Sequence, residues 1–235
     1  MKKILYNTCE FIKYFFDDKT IEKTGSRINP YLEIKKEKGK YILNSKNVNY
    51  SYGGLHKVFQ KIFKKINLEE EKIKDVLILG FGAGSIVSIL LDEYKFDCRI
   101  TGVEKDPKVI ELAKKYFEVE KFSGLKIHIA EANEYLQKNK NTYDLVIVDL
   151  YIDYEVPSEF ETIQFLKKLK EAINTDGLLI FNKLIYNHLS KKSAMQLVDR
   201  FNEIFGGIDV YKIRTGLTNW MLVYKKHSIS LIDRK

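Results

Sequence analysis

Cysteine is nearly absent from this 235-residue chain: Cys9 and Cys98 are the only two, and neither sits in a C-x-x-C pair. They cannot build a disulfide framework, which points to a reducing compartment. Histidine is also sparse. His56, His128, His188 and His227 are scattered with no pair at metal-ligand spacing, so no metal site is expected. Arginine supplies five of the forty basic residues (Arg27, Arg99, Arg200, Arg214, Arg234). Phosphate and base readout lean on arginine forks, and here the net charge of +8 is spread over lysines along the chain. That pattern reads as a solvated surface and argues against a nucleic-acid partner. The longest apolar stretch, Val76 to Leu91, holds three glycines and two serines and is too short to span a bilayer. The N-terminus, MKKILYNTCEFIKYFF, begins like a secretion signal. However, Cys9, Glu10 and Lys13 break its apolar part, and Asp17-Asp18 stand where a small-residue cleavage site would be. A cytoplasmic protein with no membrane segment is the expectation.

What is present suffices for a core. The chain is 45% hydrophobic and 13% aromatic, and its length suits one large domain or a core with a small extra unit. From about Asp75, apolar runs alternate with amphipathic ones: DVLILG then SIVSILLDEY, RITGVEKD then PKVIELAKKYF, LKIHIAEA then NEYLQKN, YDLVIVDLY then EFETIQFLKKLKEAI, GLLIFNKLI then SAMQLVDRFNEIFG. The strand-like runs are continuous rather than alternating, as in strands buried on both faces of a parallel sheet. In the fourth helical run, Ile163, Leu166, Leu169 and Ile173 form an apolar stripe, with Lys170 a polar exception. Five strand–helix units imply an α/β fold with a doubly wound, mostly parallel Rossmann-like sheet. IDVYKIR and WMLVYKK, joined by TGLTN, read as an antiparallel hairpin closing it. Residues 71–235 form this domain. Residues 1–70 form a small β-rich unit: a hairpin around Lys38-Gly39-Lys40 and a helix over GLHKVFQKIFKKINL, with helix and edge strand both open for 1–18. The two units are expected to pack together.

The strongest chemical signal is Gly80-Phe81-Gly82-Ala83-Gly84-Ser85, between a strand and a helix. Glycines there permit a tight turn and let a ligand approach the backbone. A dinucleotide fold wants G-x-G-x-x-G, whereas Gly80-x-Gly82-x-Gly84 is the spacing typical of S-adenosylmethionine sites. Glu104 ends the next strand, where a carboxylate can accept both ribose hydroxyls. Glu131 ends the third strand and could accept from an adenine amino group, while Asn133 is a candidate cap for the helix that follows. Asp149 ends the fourth strand, positioned to deprotonate or orient a nucleophile or to hold the cationic end of a cofactor. Tyr151, Asp153, Tyr154 and Glu155 then look like a substrate wall suited to a cationic or amine acceptor.

With these motifs, the chain resembles the class I S-adenosylmethionine-dependent methyltransferases, and within them the spermidine synthase family. Leu79 precedes the first glycine where ordinary methyltransferases usually carry an acid, VEKDPKVIELAKKYF is similar to the family's second motif, and KYILNSKNVNY is similar to the last hairpin of its N-terminal unit. The resemblance implies that Gly80, Gly82 and Gly84 lie against the cofactor, Glu104 takes the ribose, Glu131 the adenine side, and Asp149 is the catalytic aspartate. It also implies a homodimer. The chain departs from the pattern as well. Ala83 stands where aminopropyltransferases have the Asp that holds the amino group of decarboxylated S-adenosylmethionine. Ile152 replaces the second acid of their fourth motif, with Asp153 one residue late, and Asn49 stands for their polyamine-gripping Gln. The first expectation is therefore a transferase using S-adenosylmethionine, a methyltransferase acting on a small-molecule acceptor, with amines among the candidates. The alternatives are a divergent polyamine aminopropyltransferase and a non-catalytic nucleoside-binding module. A metal-dependent catechol-type enzyme wants an acid after the fifth strand, where this chain has Asn182-Lys183.

Overall fold

The structure is a computed structural model describing residues 19–47 and 49–226. The open choice for residues 1–18, with Cys9, and the position of His227 lie outside the described residues. The N-terminal unit is an antiparallel sheet of β1 (Lys19–Thr24), β2 (Leu32–Glu37), β3 (Lys40–Asn44) and β4 (Asn49–Ser51), in that order. Between β2 and β3, Lys38 and Gly39 take φ of 49° and 78°, the left-handed pair that a two-residue hairpin turn requires. Helix α1 (Gly53–Lys65) follows. It buries Val58, Phe59, Ile62 and Phe63 on one face, and Lys64 and Lys65 complement the negative end of its dipole.

The main sheet holds β5 (Asp75–Leu79), β6 (Arg99–Glu104), β7 (Leu125–Ile129), β8 (Tyr143–Val148), β9 (Ile173–Ile185), β10 (Asp209–Thr215) and β11 (Leu217–Lys225). Five helices connect them: α2 (Ser85–Ser88, widening through Ile89–Glu93), α3 (Pro107–Phe117), α4 (Ala132–Lys138), α5 (Ile163–Glu171) and α6 (His188–Phe205). The strand order is β10-β11-β9-β8-β5-β6-β7. Strands β5 to β9 run parallel, so the α/β architecture is the expected one. The chain winds outward from β5 to β7, then jumps back to β8, so β5 and β8 are neighbours at the switch point where such sheets bind ligands. Successive residues of β5 serve opposite faces: Val76 and Ile78 join the core shared with Leu32, Phe59 and Phe63, while Leu77 and Leu79 join the core under α5 and α6. The apolar core thus runs without a break from the N-terminal unit into the main sheet. No helix among the described residues is long and apolar enough to cross a membrane.

Several local expectations change. The C-terminal hairpin turns on Gly216 alone, at φ 109°, because Thr218 and Asn219 of the expected TGLTN loop already pair with Arg214 and Ile213. The hairpin closes the sheet as expected, with its return strand β11 lying between β10 and β9. β7 is not buried on both faces: it is the sheet's edge, and Ile129 is exposed. Helix α5 ends at Glu171, and Ile173 opens β9 instead of continuing the stripe. Ile163 is exposed, and the buried face is Phe165, Leu166 and Leu169.

Candidate active site

The carboxyl ends of the parallel strands open into one cavity of about 240 Å³, roofed by β4 and the first turns of α1. Gly80 and Gly82 line it, and the reason for Gly80 is steric. Its φ is 87°, and a Cβ there would stand 2.2 Å from the carbonyl oxygen of Asp149. The Asp149 N–H donates to Leu79 O at 2.8 Å, so the ends of β5 and β8 close on each other only over a bare α-carbon. Gly84 is placed differently from its expected role. It does not line the cavity; a Cβ on it would meet Val119 and Phe81 at 2.8 and 3.3 Å, so it serves the packing behind the loop. Ala83 is fully buried and likewise off the lining; its N–H donates to Ser51 Oγ at 3.2 Å, which ties the loop to β4.

Glu104 ends β6 as expected and faces the loop. Its carboxylate accepts the N–H of Gly82 at 3.0 Å, of Lys105 at 3.0 Å and of Asp106 at 3.1 Å. Burial pushes its pKa up against the pull of these donors. Glu131 does not end a strand, since β7 stops at Ile129. It is the N-cap of α4, accepting the N–H of Asn133 at 2.7 Å, so the cap is Glu131 and not Asn133. One oxygen serves the cap, and the other, Oε1, is buried in the cavity wall with no partner.

Asp149 follows the last residue of β8 and lines the cavity. Burial raises its pKa to about 7, and the negative charge of Glu104 adds to the rise. Asn182 on β9 opposes it by donating Nδ2–H to Asp149 Oδ1 at 2.9 Å. The Asn182 carbonyl Oδ1 is itself buried without a partner. The Tyr151 hydroxyl donates to Asn182 O at 2.8 Å and so fixes that strand end. Asp153 reaches the cavity but is tied down: it accepts from Asn47 Nδ2 at 2.6 Å and from Ser45 Oγ at 3.5 Å. Tyr154 does not line the cavity; its hydroxyl donates to Asn47 O at 3.0 Å, and its ring packs on Tyr186. Asn49 lines the roof with its amide committed, donating to Asn44 Oδ1 at 3.1 Å and accepting Leu55 N–H at 3.0 Å.

Sequence reasoning missed Tyr50 and Asn182. Tyr50 lines the cavity roof, and burial with the nearby Glu104 and Asp106 charges pushes its hydroxyl well above the ordinary tyrosine range. The signal for Asn182 was its place in the fifth strand-like run, one residue past the last pair of β9 with β8. A buried, unpaired carboxylate oxygen and an unpaired amide oxygen on opposite sides of Asp149 are costly unless a ligand supplies donors. An amino group at Glu131 and an N–H-bearing group at Asn182 satisfy that chemistry, and Glu104 stands between them with the glycine loop. The residues present therefore fit an adenosyl group.

A family model described as "Spermine/spermidine synthase domain" matches residues 56–235. The chain belongs to the spermine/spermidine synthase family. Among its curated relatives are transferases of two kinds. A probable polyamine aminopropyl transferase of Bifidobacterium longum is 24% identical over 82% of this chain and 44% of its own length. An eEF1A lysine and N-terminal methyltransferase homolog of Drosophila melanogaster is 26% identical over 60% of this chain and 22% of its own. The chain thus spans less than half the length of either. In fold, it is similar to spermidine synthase from Thermotoga maritima, with a TM-score of 0.68 at 20% identity over 88% of this chain and 72% of that one. It is also similar to human methyltransferase-like protein 13 in complex with SAH, with a TM-score of 0.58 at 24% identity over 75% of this chain and 80% of that one.

Proposed function

We propose that this family member is a transferase that uses S-adenosylmethionine and delivers a carbon group, most simply the methyl, to an N–H-bearing small acceptor. The observation that carries the reading is the pair of buried, unpartnered oxygens, Glu131 Oε1 and Asn182 Oδ1, on the two sides of Asp149 in one cavity. Glu131 would take the adenine amino group and Glu104 the ribose hydroxyls, with Gly80 and Gly82 giving backbone access. When bound, S-adenosylmethionine supplies a sulfonium whose attached carbon is electrophilic. Asn182 accepts one N–H of the acceptor and aims its lone pair. Asp149 accepts the proton the nitrogen sheds, and a pKa near 7 suits a general base at neutral pH. The N-terminal unit excludes water from above, and positioning accounts for most of the rate, as expected for an in-line displacement.

Aminopropyl transfer from decarboxylated S-adenosylmethionine is the second reading. Asp153 favours it, being a carboxylate at the cavity beyond Asp149 that could meet a further ammonium. The departure at Ala83 weighs less between the two than its sequence position suggests, because that side chain is buried off the lining. Calorimetric titration of the protein with S-adenosylmethionine, S-adenosylhomocysteine and decarboxylated S-adenosylmethionine tests both. Tighter binding of the carboxylated pair supports methyl transfer, and tighter binding of the decarboxylated form supports the polyamine reading. Binding by none of them removes the enzyme claim.

A further inference from the structure

A hydrogen-bonded chain of three side chains stands at the cavity wall where α1 meets α2. His56 Nδ1 lies 2.9 Å from Ser85 Oγ, and His56 Nε2 lies 2.7 Å from Glu93 Oε1. Ser85 is buried and lines the cavity; His56 and Glu93 stand behind it. The arrangement is held from both sides. Gln60 Nε2 donates to the other Glu93 oxygen at 2.8 Å, and the Tyr52 ring stacks on the imidazole with centroids 5.4 Å apart. Tyr52 stays neutral, since burial pushes its hydroxyl up to about 12. The other charges acting on that corner are Asp92 beside Glu93, Glu118 after α3, and Lys121, which pairs with Asp92 at 3.0 Å.

An ionised carboxylate only accepts, so Nε2 keeps its proton in either state of His56. The state of Nδ1 then decides what Ser85 offers the cavity. With a neutral imidazole, the serine O–H donates to Nδ1 and only oxygen lone pairs face a ligand. With an imidazolium, Nδ1–H donates to Ser85 Oγ and the serine proton is released toward the ligand. The second state suits an anion, and the cavity has need of one such device. Its lining carries the carboxylates of Glu104, Glu131, Asp149 and Asp153 against a single lysine, Lys105.

We propose that His56 is a positioning residue that sets the hydrogen-bonding polarity of Ser85, and that this relay admits the carboxylated tail of S-adenosylmethionine in preference to a decarboxylated one. The inference rests on the reading that the cavity binds S-adenosyl ligands. Binding of the carboxylate draws a proton onto His56 and turns the serine O–H toward it.

The test is titration calorimetry of the whole protein with S-adenosylhomocysteine and with decarboxylated S-adenosylmethionine. It is run in two buffers of different ionisation enthalpy at one mildly alkaline pH, so that proton uptake is read directly. Asp149 also titrates near neutrality, so the informative quantity is the difference between wild type and His56→Gln. The expected result is extra proton uptake with the carboxylated ligand in wild type alone. Preference for that ligand should fall by roughly tenfold or more in His56→Gln and in Ser85→Ala, the loss of one hydrogen bond to a charged group. Ser85→Ala leaves the stacking on α1 intact and guards against misfolding of the first variant. If both ligands bind but preference and proton uptake are the same in all three proteins, the relay has no such role and the cofactor reading stands. If neither ligand binds wild type, both fall together.

Discussion

The glycine loop between β5 and α2 and the loop 150–157 after β8 both border the cavity, and they are held by different means. The first is fixed through its backbone N–H groups, most of which donate to acceptors on β6 and β4. Gly80 and Phe81 donate to Val103 O at 3.0 Å each, Gly84 to Phe81 O at 3.2 Å, and Gly82 to Glu104 Oε2 at 3.0 Å. The second is fixed largely by side chains from afar: Asn47 on Asp153, Tyr154 on Asn47, and Tyr186 on Glu155 at 2.7 Å. One loop is held by its main-chain N–H groups in left-handed conformations that glycine allows, and the other by side chains that reach it from elsewhere in the fold. A substitution in the first should therefore damage the fold, and one in the second should damage what the fold does.

The largest effect is expected at Gly80→Ala. A methyl group would collide with the Asp149 carbonyl in a backbone conformation that side chains avoid. A stability loss of about 3 kcal/mol or more should appear as a lower urea midpoint at unchanged slope. A midpoint like wild type would mean that β5 and β8 can part without cost, and the contrast between the loops would fail.

Next in size is Asp149→Asn, at the hinge between the loops. The amide keeps the shape but cannot take a proton, so transfer should slow by about 10²–10⁴-fold with adenosyl-ligand affinity almost unchanged. The wild type should show the matching pH profile. An acid whose pKa is raised to about 7 is protonated below that value and useless as a base there. Turnover should accordingly climb as pH rises through about 7 and then level off. A fully active Asn variant, or a flat profile, would remove Asp149 from the chemistry.

Third come Glu104 and Glu131, the two acids proposed to hold the adenosyl group. Glu104→Ala and Glu131→Gln should each weaken adenosyl-ligand binding by about 1–3 kcal/mol, the usual cost of lost hydrogen bonds to a charged group. Glu131→Gln is the sharper test. Its amide oxygen can still accept the Asn133 N–H, so a loss of affinity without a loss of helix stability would isolate the role of Oε1. Unchanged affinity in both variants would end the assignment of the adenosyl group to Glu104 and Glu131.

The same contrast explains what could be read in the sequence. Gly80 and Glu104 announce themselves because their demands are local: a left-handed turn between strand and helix, and an acid at a strand end. The alternation of apolar and amphipathic runs gave the five parallel strands for the same reason. Residues whose roles depend on distant partners were misread or missed. Glu131 looked like a strand-end acid and is a helix cap, because its neighbours' hydrogen bonds, not its residue type, end β7 at Ile129. Gly84 carries the motif's spacing and a left-handed φ of 85°, yet it faces Val119, just after α3, and not the cavity. Asn182 and Tyr50 have no motif at all: the pairing of β8 with β9 brings Asn182 to Asp149, and the N-terminal sheet packed over the cavity brings Tyr50 to its lining. The insertion of β11 between β9 and β10 is invisible in a pattern that both hairpin placements satisfy equally.

The smallest effect should come from Asn47→Ala, and it bears most directly on the second loop. The change removes the 2.6 Å bond to Asp153 while leaving the backbone carbonyl that Tyr154 uses. This contact is exposed, so its net worth to folding should be about 1 kcal/mol or less. Asp153 holds φ at 55°, a left-handed conformation that the bond helps to retain. Freed from Asn47, the loop should relax and spread the positions available to the acceptor. The acceptor KM should then rise a few-fold while adenosyl-ligand affinity, set on the far side of Asp149, stays at its wild-type value. Combined with Asp153→Ala, the two changes should cost no more than Asp153→Ala alone, since they break one contact. A variant that instead loses adenosyl-ligand affinity would show that the two loops are not independent, and that the cavity is one jointly held surface rather than two halves.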